Sequence, residues 1–264
     1  MYLHAYISVK SFVEGCKISE VPQSLIVRIP NLMYSIPEEE IGYGLSLLRQ
    51  SIVCHEKAAH ILPENSKQGI PFFRNKRKML IGPEMEMYSW SFYESSEIPH
   101  NLKKEDEPLL CLSFDYEALG SYCLSENMYL LRCKYDEEKN LQTFTGQMER
   151  EYPKFFYDEE HTGFTADSRL FSMLCNACLE VREARFASEQ EWRMARFSDP
   201  ADASYEYDGN TLLSNIPVTI PLSCISKVAL LNQEDNSITY SALAGFLQQI
   251  GLAPERYLEG LIED

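Results

Sequence analysis

The chain has 264 residues, 45% of them hydrophobic, with 13 Phe and 16 Tyr, which suffices for a large core and argues against a disordered protein. Its formal net charge of −16 excludes nucleic-acid binding through a basic face. No run of 18 apolar residues occurs and the N-terminus lacks the pattern of a secretion signal, so no membrane segment is predicted. The eight cysteines, several within apolar runs, are typical of reduced thiols and predict a cytoplasmic, disulfide-free protein.

The first half of the chain is predicted to mix strands and helices. Runs of apolar residues predict strands at Leu25–Ile29, Met87–Tyr93 and Leu109–Phe114. A helix is predicted over Ser35–Ala59, because Ser35 is a suitable cap and Pro37 is followed by three glutamates that suit the helix dipole. Asp115 is predicted to cap a short helix that ends at Leu119, and residues 94–108 are polar enough to predict a loop.

The second half continues this mixture. Strands are predicted at Met128–Tyr135, Glu189–Phe197 and Ile225–Leu231. Helices are predicted over Ser168–Arg185 and Ser237–Ile250, the second of them stopped by Gly251. Because strands and helices do not alternate regularly, the order favours an α+β fold with a mostly antiparallel sheet or sheets packed with several helices. No linker-like segment divides the chain, so a single domain over residues 1–264 is predicted.

The segment Phe186–Arg193 has the most informative pattern in the chain. Its residues read Phe-Ala-Ser-Glu-Gln-Glu-Trp-Arg. In an extended strand, Glu189, Glu191 and Arg193 share one face, and the residues between them share the other. Three charges on one strand face must be solvated, paired or used in a site. The two tryptophans, Trp90 and Trp192, lie in the two strands of interest, and we predict that they anchor those strands in the core.

Five landmarks in order resemble a bacterial family known as domain of unknown function number twenty-nine seventy-one. They are Ser89–Phe92, Leu112–Asp115, Cys133–Asp136, the Phe-x-x-Glu-x-Glu-Trp-Arg segment Phe186–Arg193, and Ile220–Leu222 followed by Ile225–Val228. The resemblance spans residues 85–252 and implies a shared fold, while the family has no settled activity. Two departures stand out: residues 94–108 replace the usual Trp-x-x-Tyr segment, and the N-terminal part has no clear Asn-Asp-Pro element.

The same residues show a more distant similarity to ADP-ribosyltransferases, which carry Ser-x-Ser on one strand and Glu-x-Glu on a later one. The resemblance implies that Glu191 stabilises the oxocarbenium ion formed when the nicotinamide–ribose bond of NAD breaks, and that Glu189 orients or deprotonates an acceptor. The remaining anchor is expected from His4 or from an early arginine such as Arg28. The candidate residues are thus Glu191 and Glu189 as catalytic groups, and Ser89, Ser91, Arg193 and His4 as ligand-binding groups.

These patterns leave three interpretations open. The acids of the Glu-x-Glu-x-Arg pattern can form a solvated cross-strand ion-pair face with a structural role only. Alternatively, they line a pocket for a small polar ligand or a nucleotide such as NAD. In a third interpretation the acidic protein is a non-catalytic interaction module, toxin- or defence-associated, that binds a basic protein partner. No metal is predicted, since Cys175 and Cys178 have no second cysteine pair or histidine near them.

Overall fold

A computed structural model of the chain describes residues 1–32, 38–58, 86–97, 99, 109–156, 169–207, 212–231 and 237–258. Several predictions fall elsewhere. The Ser35 cap, the Ser168 helix start and all but a few residues of the 94–108 loop lie outside the described residues. Within the described part of the chain, no helix combines the length and the apolar character that crossing a bilayer requires.

The described elements mix nine strands with seven α-helices and three short 3-10 helices. The strands are β1 (Tyr2–Ser8), β2 (Ser24–Pro30), β3 (Glu86–Tyr93), β4 (Leu109–Asp115), β5 (Tyr129–Arg132), β6 (Glu191–Ser198), β7 (Ser204–Tyr207), β8 (Leu212–Pro221) and β9 (Ile225–Leu231). The α-helices are α1 (Val9–Ile18), α2 (Glu38–Ala58), α3 (Tyr116–Ser125), α4 (Glu137–Phe156), α5 (Arg169–Glu180), α6 (Ser237–Gln249) and α7 (Pro254–Tyr257). The 3-10 helices are Ala184–Glu189, Pro200–Asp202 and Leu222–Cys224.

The strands form two antiparallel sheets. The larger has the order β5-β6-β3-β1-β4-β9, and the smaller has the order β2-β8-β7. Every pair of neighbouring strands in both sheets is antiparallel. The prediction of an α+β fold built on antiparallel sheets with several helices is therefore confirmed.

Each face of the larger sheet packs against a different layer. One face, with Leu3, Leu112 and Phe92, packs against the smaller sheet, which contributes residues such as Val27 and Val218. On the opposite face of β3 and β6, helices α2, α4 and α5 form a second core cluster that includes the following side chains: Leu45, Leu48, Met87, Met148, Leu174 and Ala195. Because side chains alternate between faces along a strand, residues two apart on β3 or β6 point to the same layer.

Local signals explain several element boundaries. Asp115 caps α3 as predicted, because its Oδ1 accepts a hydrogen bond from the backbone N–H of Ala118 at 2.9 Å. Helices α2 and α5 approach very closely at Gly44, where an added Cβ would lie 1.9 Å from the carbonyl oxygen of Ala177. Glycine at this position therefore sets how closely the two helices pack, and hence where the start of α2 lies relative to the end of α5.

The strand predicted from Glu189 is wrong at its start. Residues Ala184–Glu189 form a 3-10 helix, and Gln190 adopts the left-handed conformation with a φ of 45° before β6 begins at Glu191. Glu189 and Gln190 therefore do not alternate with the residues of β6. The cause is a turn made by a non-glycine residue, which carries no turn signal in the sequence.

Candidate functional site

The pairing of β3 with β6 brings together the serine and glutamate motifs. In the antiparallel register, Ser91 lies opposite Arg193 and Tyr93 lies opposite Glu191. Directly opposed residues share a sheet face, so the hydroxyl of Ser91 and the carboxylate of Glu191 are diagonal neighbours. The Ser91 Oγ donates a hydrogen bond to Glu191 Oε1 at 2.5 Å. The structure therefore brings the Ser-x-Ser and Glu-x-Glu motifs into direct contact across two neighbouring strands.

Glu191 and Arg193 belong to a group of five charged residues, which we call the buried charge cluster. Its members come from α2, the segment after α5, the 3-10 helix and β6: Glu40, Arg182, Glu189, Glu191 and Arg193. Each of the five is at most 8% exposed. The solvated ion-pair face is therefore not what the structure contains; these charges are paired with one another inside the protein.

Arg182 is the hub of the buried charge cluster. Its Nε and Nη2 donate to the two carboxylate oxygens of Glu40 at 3.0 and 3.1 Å. Its Nη1 lies 2.6 Å from Glu189 Oε2 and 2.6 Å from Glu191 Oε2. The guanidinium also stacks over the Phe186 ring, with Cζ 4.4 Å from the ring centroid. Arg182 thus joins Glu40, which is 142 residues away in the chain, to the nearby acids Glu189 and Glu191.

Arg193 binds Glu191 through two parallel hydrogen bonds. Its Nε lies 3.0 Å from Glu191 Oε1, and its Nη2 lies 3.1 Å from Glu191 Oε2. The remaining donor, Nη1, bonds the carbonyls of Cys178 and Leu179 at the end of α5, at 2.9 and 3.1 Å. This planar, forked arrangement is one that lysine cannot reproduce. Arg193 is therefore a link between β6 and α5.

The cluster keeps Glu191 ionised. Burial alone would raise the pKa of this carboxyl, but Arg193, Arg182 and the Ser91 hydrogen bond outweigh burial, and the pKa falls below its usual range. Both oxygens of Glu191 are fully occupied by these donors. Burial raises the pKa of the neighbouring Cys133 thiol, whose Sγ lies 3.6 Å from Glu191 Oε2, which favours its protonated form.

The charges of the cluster do not balance. Three carboxylates and two guanidiniums leave a formal net charge of −1. Glu189 Oε1 is buried and has no hydrogen-bond partner among the described residues, whereas Glu189 Oε2 bonds Arg182. Although Glu189 is not in the strand, its side chain still reaches the same arginine as Glu191. Glu189 and Glu191 therefore both contact Arg182, although Glu189 belongs to the 3-10 helix and only Glu191 belongs to the strand.

His4 lies on the same sheet face as this site. It is on β1, next to β3, and is opposite both Tyr93 and Ser113. The register therefore forms one row of side chains across four strands: Glu191, Tyr93, His4 and Ser113. The Nδ1 of His4 lies 3.0 Å from the Ser113 Oγ. His4 is partly exposed, while Ser113 is 7% exposed.

Two other candidates have different surroundings. Ser89 is 3% exposed and lies opposite Ala195, on the face of β3 that also carries Ser91. Arg28 lies on β2 of the smaller sheet and forms an ion pair with Glu206. Of the two anchors that the sequence left open, only His4 shares a sheet with Ser91 and Glu191.

The sequence reasoning missed Glu40 and Arg182. Their 142-residue separation puts their pairing beyond any local pattern. One signal was visible: Arg182 directly follows the apolar helix end Cys178-Leu179-Glu180-Val181, where a core-facing position is expected. Within the described residues, no group of three or more His, Cys, Asp or Glu side chains has a geometry suited to a metal ion.

The chain matches no protein-family model, no curated protein and no solved structure. The resemblance to the bacterial family and the more distant similarity to ADP-ribosyltransferases stay predictions that depend on the motifs quoted above.

Proposed function

We propose that this protein binds a small polar ligand of the NAD type on the face of the larger sheet formed by β1, β3 and β6. The observation that carries the proposal is the row that joins His4, Tyr93 and Glu191 on three adjacent strands, with Ser91 hydrogen-bonded to Glu191 beside it. This row brings the separate polar motifs of the sequence to one place. His4, in the row, and Ser91, beside it, are partly exposed.

The proposal assigns different roles to these residues. His4 and Ser91 contact the ligand directly, because they are partly exposed. Glu191 orients the Ser91 hydroxyl, since both of its own oxygens are occupied by donors from the protein. An ionised carboxylate behind the serine also favours positive charge that develops on a ribose ring. Arg193 then supports the site by holding Glu191 in place.

If the ligand reacts, the reaction class is ADP-ribosyl transfer or NAD hydrolysis. The bond between the nicotinamide nitrogen and the ribose C1 breaks, and its electron pair leaves with nicotinamide. C1 then bonds the oxygen of water or of an acceptor, whose proton passes to the solvent. As part of the same proposal we assign the protein to a bacterial cytoplasm, which the eight free thiols support.

Calorimetric titration tests the proposal with NAD, ADP-ribose and nicotinamide as separate ligands. We expect NAD or ADP-ribose to bind, and Ser91→Ala and His4→Ala each to weaken binding by about fivefold to tenfold because each removes one ligand hydrogen bond. Ser223→Ala, an exposed serine outside the site, is the matched control for Ser91→Ala. Release of nicotinamide from NAD, measured by chromatography, reports turnover.

Two results would count against this proposal. One is the lack of any heat of binding at millimolar concentrations of all three ligands. The other is binding that Ser91→Ala and His4→Ala leave at the wild-type affinity while their thermal stability equals that of Ser223→Ala. In the second case a nucleotide binds, but at a different place.

A second candidate function is a non-catalytic interaction module, toxin- or defence-associated, that binds a basic protein. The buried charge cluster favours it, because the acids of the Glu-x-Glu motif are consumed by internal ion pairs instead of facing a ligand. The net charge of −16 would speed association with a cationic partner. An affinity capture at low ionic strength tests it: a basic partner that is lost at high salt supports it, and failure to capture any basic protein contradicts it.

A further inference from the structure

A second candidate binding place is a cleft of about 410 Å³ beside α1. Its walls come from α1, β2 and the end of β1, with single residues from the middle of β3, the start of β4 and β7. No member of the buried charge cluster lines it. The volume falls within the range of small-molecule sites in proteins. This cleft therefore stands apart from the site of the proposed function.

The charged side chains of the cleft carry a net negative charge. Arg28 and Glu206 form an ion pair with each other, and their side chains are 55% and 47% exposed. Glu14 also lines the cleft, on α1, and is exposed. It forms no ion pair within the described part of the chain. Two carboxylates against one guanidinium leave the described lining of the cleft with a formal charge of −1, and Glu14 is the acid that stands outside the ion pair.

The rest of the cleft offers an aromatic and aliphatic wall. Trp90 lines it and is partly exposed. Edge-on contacts with Phe92 and Phe114, at ring centroid distances of 4.7 and 5.9 Å, hold the indole in one orientation. Ile18 and Ile26 supply aliphatic surface. A fixed indole and a carboxylate that line the same cleft are a combination that attracts organic cations.

We infer that this cleft binds a small organic cation with an aromatic or apolar body, namely a free amine. The ammonium group pairs with Glu14 and lies near the Trp90 ring, while the apolar body packs against Ile18 and Ile26. Anionic ligands are disfavoured in the cleft by its own net negative charge. The cleft therefore distinguishes ligands of similar shape by their charge.

Three compounds that share a phenyl ring test this charge selection: phenethylamine is a cation, phenylalanine a zwitterion and phenylacetate an anion. The chain has two tryptophans, so the Trp192→Phe variant leaves Trp90 as its fluorescent reporter. We expect phenethylamine to quench Trp90 fluorescence and to bind about tenfold more tightly than phenylacetate, with phenylalanine between them. Calorimetry on the wild-type protein gives the same order without the substitution.

Glu14→Gln supplies the matched comparison, with Glu20→Gln as its control. Both acids are exposed near α1, but only Glu14 lines the cleft. We expect Glu14→Gln to weaken phenethylamine binding about fivefold and to leave phenylacetate unchanged, whereas Glu20→Gln changes neither. Equal affinity for all three compounds, absence of phenethylamine binding at ten millimolar, or equal effects of the two variants would each overturn the inference. None of these outcomes bears on the binding of NAD.

Discussion

The buried charge cluster and the cleft beside α1 use the same residue types in opposite ways. In the cluster, each arginine contacts at least two acids, and no member is more than 8% exposed. In the cleft, Arg28 and Glu206 pair while about half exposed, and Glu14 has no counter-charge in the described part of the chain. The acids of a charge motif that stands out in the sequence can thus be neutralised by ion pairs inside the protein. A single glutamate without any motif, here Glu14, can instead remain exposed to a ligand.

The energetic consequence of this contrast is large. Breaking a buried ion pair from one side leaves a desolvated charge without compensation, which costs about 3–5 kcal/mol. Exposed pairs contribute about 0–1 kcal/mol, because water and salt replace the lost partner. Variants in the two regions should therefore differ clearly in the free energy of unfolding, and the following predictions run from the largest effect to the smallest.

Arg182→Met should have the largest effect. It removes the hub that pairs with Glu40, Glu189 and Glu191, and leaves their negative charge with only Arg193. We expect a loss of about 3–5 kcal/mol in the free energy of unfolding, measured with urea. Arg185→Met is the matched control, because Arg185 stacks on the same Phe186 ring but is 64% exposed, and its cost should be below about 0.5 kcal/mol. Equal losses for the two would contradict the assigned role of Arg182.

Glu191→Gln should be next, and its effect should depend on pH. The pKa of Glu191 is lower in the folded protein than its usual 4.5, so its ionised form stabilises the fold above that pH. We expect the variant to lose about 2–4 kcal/mol at pH 7. The difference from wild type should shrink as the pH falls below 4.5, through the folded pKa. Urea titrations at pH 7, 5 and 4 check this; Glu149→Gln, at an exposed position on α4, should show no such trend.

Gly44→Ala tests whether close helix packing maintains the cluster. An added Cβ would meet the carbonyl of Ala177 and push α2 away from α5, which shifts Glu40 relative to Arg182. We expect a loss of about 1–3 kcal/mol. Gly120→Ala on α3 meets nothing within 4 Å and should instead stabilise the protein by about 0.5–1 kcal/mol, because alanine favours helix. Thermal denaturation compares the two, and a neutral Gly44→Ala would refute the packing argument.

Arg28→Gln should have the smallest effect on folding. Its ion pair with Glu206 is about half exposed, so we expect a change of less than about 0.5 kcal/mol in the free energy of unfolding. A loss above about 2 kcal/mol, seen in the same urea experiment, would remove the contrast between the cleft and the cluster.

Much of the fold was predictable because its signals are local. The strand Leu109–Phe114 and its Asp115 cap follow from an apolar run and one polar side chain, and both occur in β4 and α3. The helix predicted to reach Ala59 occurs over Glu38–Ala58, up to the last described residue of that part of the chain. By contrast, β1 with α1 went unpredicted, because their short segments combine weak periodicity with polar residues. Antiparallel pairing was predicted correctly, but the two-sheet order was not part of any local pattern.

The site was predictable only in part. Ser91 and Glu191 were placed in one site only through the resemblance to ADP-ribosyltransferases, and the register of β3 and β6 brings the two side chains into contact. The turn at Gln190 was not predictable, since a glutamine in the left-handed region has no sequence signature. The pairing of Glu40 with Arg182 could not be predicted, because long-range ion pairs depend on how helices pack against the sheet. Burial, which decides whether an acid binds a ligand or an arginine, is also a property of the whole fold.

A double-mutant cycle between Arg182 and Glu191 tests the central claim most directly. The single variants Arg182→Met and Glu191→Gln and their combination are compared by urea unfolding at pH 7. Since the two side chains lie 2.6 Å apart and are buried, the account predicts a coupling energy of about 1.5–3 kcal/mol. Additive effects within about 0.3 kcal/mol would show that the two charges do not interact, and the buried charge cluster would have to be abandoned.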